Sequence, residues 1–71
     1  MRVRVDIGAD ELPRAQESAE VVGLRLTLTG TAYAGEGVET LFEAEVAGDH
    51  HELFNWLSRR NYSPSDFKVL A

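Results

Sequence analysis

The stretch from Leu24 to Val46, LRLTLTGTAYAGEGVETLFEAEV, decides the fold. Its first half has a period of two. Val22, Leu24, Leu26 and Leu28 fall on one face, and Arg25, Thr27, Thr29, Thr31 and Tyr33 on the other, as in a half-buried strand. Ala34-Gly35-Glu36-Gly37 supplies turn residues, and a second alternating run follows. Val38, Thr40, Phe42, Ala44 and Val46 share one face; Glu39, Leu41, Glu43 and Glu45 share the other. Two such runs about a glycine-rich turn read as a β-hairpin. A turn centred near Glu36 sets Leu28 opposite Ala44 and Leu26 opposite Val46, so the apolar faces coincide. Gly30 interrupts the apolar row and marks either a bulge or a close approach of backbone.

Upstream, residues 2–7 also alternate, with Val3, Val5 and Ile7 against Arg2, Arg4 and Asp6. That is a further half-buried strand. Leu12, Ala15, Ala19 and Val22 then recur at helical spacing, and Pro13 suits a first helical turn, where its missing N–H costs nothing. The expectation is a short helix over 12–20, with an ordered loop as its rival. The apolar stripe is mostly alanine and stabilises little through burial. Downstream of the hairpin, Asp49 and Glu52 stand at the spacing of a capping box. Leu53, Trp56, Leu57 and Arg60 follow at i, i+3, i+4 and i+7, with Phe54 widening the stripe. Asn61 and Pro64 stop this helix. Arg59 and Arg60 suit the negative end of its dipole. Phe67 to Leu70 make a short last strand.

The resulting order is β-(α)-β-β-α-β, a small two-layer α+β fold with one or two helices packed on one face of the sheet. It resembles the ferredoxin-like layout, in which the first strand lies beside the third. Arg2 and Arg4 then fall near Glu43 and Glu45. Families built on that layout carry motifs that this chain lacks. Ile7-Gly8-Ala9-Asp10-Glu11 is not a phosphate-binding arginine loop, the strands have no stacked RNA-binding aromatics, and a metal chaperone's CxxC would need cysteine. The layout implies an architecture and no function.

Seventy-one residues make a single domain, 1–71, because compact domains run from ~50 to ~250 residues. A chain this short buries only about 60% of its unfolded surface, which favours binding over elaborate catalysis. Without cysteine there is no disulfide, thiolate nucleophile or zinc–thiolate site. The start, Met1 to Asp6, lacks the apolar run of a signal peptide, and no stretch reaches the ~20 apolar residues of a membrane span. A cytoplasmic location and no membrane contact are expected. The net charge of −5 argues against direct nucleic-acid binding. No Lys or Arg occurs from Leu26 to Ser58, whereas Glu36, Glu39, Glu43, Glu45, Asp49 and Glu52 all fall there.

Candidate chemistry is sparse. His50 and His51 are adjacent, so on a helix they do not share a face and cannot chelate one ion as i and i+4 histidines do. Ser58, Ser63 and Ser65 could be paired with a histidine on paper, but no nucleophile elbow or oxyanion loop accompanies them. Gly35-Glu36-Gly37 lacks the Lys and Ser/Thr of a phosphate loop. Glu43 and Glu45 share a strand face without the apolar pocket that would raise a carboxyl pKa. Trp56, Phe54, Leu53 and Leu57 read as core. No enzyme activity, cofactor or metal is expected.

The outer sheet face remains. Thr, Glu and Arg are at home on a solvated face, but Tyr33 and Leu41 add a modest apolar spot of the kind that marks partner contacts. The expected function is that of a small acidic protein-binding module, a regulator or inhibitor presenting carboxylates to a basic partner surface. Small acidic proteins of phages and mobile elements, such as anti-CRISPR proteins and inhibitors of host RNA polymerase, provide the analogy. Glu36, Glu39, Glu43, Glu45 and Asp49 are expected to carry it, with Tyr33 and Leu41 as apolar anchors. The alternative is a structural or assembly protein, a homodimer or a subunit of a larger complex joined through its open sheet face or an edge strand.

Overall fold

Alternation in three runs and helical spacing in two produce a four-stranded antiparallel sheet with two helices. The computed structural model describes residues 1–71. The elements are β1 (Arg2–Gly8), α1 (Leu12–Val21), β2 (Arg25–Tyr33), β3 (Leu41–Ala47), α2 (His50–Arg59) and β4 (Phe67–Val69). The sheet order is β2-β3-β1-β4, and each adjacent pair is antiparallel. β1 is internal, which explains why Val3, Val5 and Ile7 are completely buried while Arg2, Arg4 and Asp6 stay in water. Both helices lie on the valine side. Ala15, Ala19, Leu53, Trp56 and Leu57 join β1, Ala44, Val46 and Leu24 in one buried cluster. The Trp56 indole N–H donates to Ser18 Oγ at 2.8 Å and ties the helices together.

The hairpin register is the one the apolar faces require: Leu26 opposes Val46 and Leu28 opposes Ala44. Beyond Leu28 the expectation fails. The register shifts between Leu28 and Gly30 and again between Thr31 and Tyr33, so β2 carries two bulges. Each inserts a residue and reverses the alternation. Thr31 therefore opposes Phe42 and shares the helix side with it, contrary to the outward placement that strict alternation gives. Gly30 marks a bulge and not a close approach, since a Cβ there would meet nothing within 4 Å. The second strand also starts later than its alternation suggests, at Leu41 and not Val38. Val38 belongs to the turn, where its N–H bonds the Gly35 carbonyl and Gly37 sits at φ +77°, a backbone that favours glycine.

The region from Leu12 is a helix and not a loop. It ends at Gly23, φ +77°, where Gly23 N–H bonds the Glu20 carbonyl and Leu24 N–H bonds that of Ala19. The end of α2 repeats this at Asn61, φ +62°, with Asn61 N–H on Ser58 and Tyr62 N–H on Leu57. Both are Schellman closures, each followed by an apolar residue that packs back on its helix. Tyr62 stacks on Trp56 with ring centroids 6.3 Å apart, and its hydroxyl donates to the Asp6 carbonyl at 3.1 Å. Burial pushes its phenol pKa up.

At the start of α2, Asp49 Oδ2 accepts from His51 N–H at 3.1 Å and Glu52 N–H at 3.2 Å. Glu52 makes no return bond, so the capping box is half formed. These N–H groups, that of Glu52 foremost, hold the Asp49 carboxyl below its ordinary value of 3.8. The Ser63 N–H and hydroxyl do the same for Asp66. A pKa depressed in the folded state gives stability that is full above the unfolded value and is lost as pH falls through the folded one. The melting temperature should therefore drop on acidification below pH ~4. Asp49→Asn combined with Asp66→Asn should flatten that drop. Parallel melting curves for variant and parent from neutral to acid would exclude these two groups as its source.

Candidate functional site

The antiparallel ladder puts residues 41, 43 and 45 of β3 on the face without helices, together with 2, 4 and 6 of β1, 25 and 27 of β2, and 68 of β4. Arg2, Arg4, Arg25 and Lys68 thus share this face with Asp6, Glu43 and Glu45. The open face is close to neutral, although the hairpin alone reads as acidic. Arg2 lies 3.8 Å from Glu45 and Arg4 lies 3.7 Å from Glu43, both in water-exposed pairs, as the neighbouring of β1 and β3 implies. Such exposed pairs are worth ~0–1 kcal/mol and exchange readily. Glu43 also accepts from Thr29 Oγ1 at 2.9 Å.

Four of the seven expected contact residues come together. Tyr33 opposes Leu41 directly, and Glu43 and Glu45 continue the same face along β3. Tyr33 is 55% exposed and Leu41 half-buried. The other three lie elsewhere. Glu36 is at the hairpin tip. Glu39 turns toward the β1–α1 loop, where its Oε1 accepts from Asp10 N–H at 3.0 Å. A Cβ on Gly8 would strike that same carboxylate, so Gly8 leaves room for this bond. Asp49 caps α2 at the opposite end of β3. Of the five acids, Glu36 alone has neither an ion pair nor a hydrogen bond within the chain.

A contributor that alternation misplaced is Val38. It packs with the Tyr33 ring over Gly35, where any side chain would meet Val38 and the Tyr33 hydroxyl at 3.1 and 3.2 Å. Tyr33 with Leu41 directly opposite, and Val38 beside Gly35, make up an apolar cap near the tip, next to Glu36. Glycine at position 35, between two apolar residues in a turn, is the signal that points to it. The whole run from Thr27 to Glu39 is exposed, including Leu28 at 43% and Val38 at 51%. Neither face of this run is covered by a helix, so this part of the hairpin stands free as an arm.

Contrary to the separate faces expected of adjacent helical residues, the His50 and His51 rings lie together, 4.1 Å apart, where both stand in the opening turn of α2; no three His, Asp or Glu side chains converge. Ser63 Oγ donates to Asp66 at 2.8 Å and neighbours Ser65. Arg60 does more than offset the helix dipole. Its guanidinium lies over Trp56, 5.5 Å from the ring centroid, and donates to Glu11 at 3.1 Å. That contact pins the end of α2 to the β1–α1 loop. No helix is long and apolar enough to cross a membrane. No protein-family model, curated protein or solved structure matches the chain.

Proposed function

We propose that the chain is a non-enzymatic protein-binding module, a regulator or inhibitor, that offers its hairpin arm to a basic surface of a partner protein. The observation that supports this most is the unbroken exposure of Thr27 to Glu39 around the Tyr33–Val38–Leu41 cap. Large apolar groups held in water at the end of a projecting element fit a contact better than a core. Glu36 is uncommitted, and Glu43 and Glu45 sit in loose pairs that a partner's Lys or Arg can replace. The strand order β2-β3-β1-β4 supports reading the layout as ferredoxin-like, which supplies the arm's scaffold and no activity.

The test is affinity capture from the native cell or its host by three forms of the chain. The parent protein should retain a basic partner whose binding weakens as salt rises. Glu36→Lys/Glu43→Lys/Glu45→Lys and, separately, Tyr33→Ala/Val38→Ser should each lose it while melting normally. Undiminished capture by the charge-reversed form removes the carboxylates from the reading. A second reading, assembly with another copy, is favoured by one observation: β2 is a nine-residue edge strand with a free side.

A further inference from the structure

From Leu26 to Gly35 the edge strand and its exit carry no charge, in a chain of net charge −5. Long edges are normally guarded by Lys, Pro or bulges. Here the guards are Arg25 at the start of the strand and the two bulges, both of which lie beyond Leu28. The regular segment from Arg25 to Leu28 is left flat, with Leu26 half-buried and Leu28 exposed on its helix side. Arg25, on the opposite face, forms no salt bridge, unlike Arg2, Arg4, Arg14 and Arg60.

We infer that β2 pairs antiparallel with β2 of a second copy, about a two-fold axis at Thr27. This rests on the assembly reading and is independent of the basic partner. Pairing that keeps each face intact requires the two position numbers to add to an even sum. Opposing Thr27 with itself sets Leu26 against Leu28 of the other copy, twice, and joins the two leucine rows. One step toward the N-terminus would set Leu28 against the buried Leu24. One step the other way would set Leu26 against Gly30, beyond the bulge. The Thr27 register also brings Arg25 opposite Thr29 of the other copy. The Thr29 hydroxyl bonds Glu43, so the unpaired guanidinium gains a carboxylate within reach of its side chain. A second copy therefore satisfies both the apolar row and the free charge.

The absence of cysteine makes the register directly measurable. Opposed Cα atoms in an antiparallel pair lie about 4.5–5.5 Å apart, inside the range a disulfide spans. Thr27→Cys should oxidise to a covalent dimer in the purified chain, whereas Thr31→Cys and Glu36→Cys should remain monomeric under the same conditions. The parent protein should sediment as a dimer, and raising salt should preserve it, opposite to the behaviour expected of the basic partner. Leu28→Lys should abolish the dimer. Arg25→Glu should weaken it, and Arg25→Glu/Glu43→Arg should restore it. A monomer throughout the accessible concentration range, or cross-linking as efficient through position 36 as through 27, overturns the inference. Neither result touches the capture experiment.

Discussion

Trp56→Ala is expected to leave most of the population unfolded at room temperature. Trp56 is 4% exposed and meets three side chains at once. Its ring stacks on Tyr62 and carries Arg60, and its N–H holds Ser18 on α1. Removing a buried tryptophan costs ~3–5 kcal/mol, and a single core in a chain of this length rarely supplies more than ~3–5 kcal/mol. The two quantities are equal within their spread, so the loss consumes the whole margin. Trp56→Phe separates packing from the hydrogen bond. It keeps most of the aromatic area and forfeits the bond to Ser18, for ~1 kcal/mol. Ser18 still donates to the Ala15 carbonyl and is not orphaned. Urea unfolding followed by circular dichroism measures both variants. A cooperative transition in Trp56→Ala close to that of the parent would show that the helices are held by something else.

Ala15→Leu is the second large effect, in the direction opposite to ordinary hydrophobic reasoning. Ala15 and Ala19 are both buried, on the side of α1 that faces the sheet. The methyl groups let the helix backbone come close, with almost no surface left exposed at either alanine. Three added carbons force the helix away or push side chains off their rotamers, for ~1–3 kcal/mol. In a domain this small that lowers the melting temperature by ~4–8 °C per kcal/mol. Val21→Leu on the same helix, at a site 79% exposed, should stay within ~0.5 kcal/mol of the parent. A melting temperature unchanged or raised by Ala15→Leu would mean that α1 lies over a void.

These alanines mark where sequence reading was weakest. Their spacing gave the helix, but a small apolar residue reads as weak burial when its value is the close approach it permits. Pattern does not encode the shape of a contact. The hairpin register up to Leu28 was legible because both strands have one buried face, and a slip of one residue would expose it. Past Leu28 nothing is buried to enforce alternation, and the bulges at Thr29 and Ala32 leave only Gly30 as a trace. The same lack of enforcement hid the true start of β3 and the role of Val38. The Asp49 cap, the left-handed Asn61 and the pairing of Arg2 and Arg4 with Glu45 and Glu43 follow from local chemistry or strand order. Gly23 is equally legible as a helix stop, but it lies inside the alternating run that marks the strand. Glu39 reaching Asp10 was not legible, because that bond joins segments that only the finished fold brings together.

β4 is three residues long, Phe67–Val69, and borders the sheet on the side away from β2. That brevity governs how far edge-to-edge growth can run. A sheet with two long free borders can add molecules indefinitely and become a fibre. Here one border offers too few backbone groups to template a newcomer, and in the proposed dimer the other is used up when two copies meet edge to edge. An isologous contact of that kind is finite by symmetry. The truncated border would therefore stop polymerisation beyond that dimer, in a chain whose other edge strand and its exit carry ten consecutive uncharged residues.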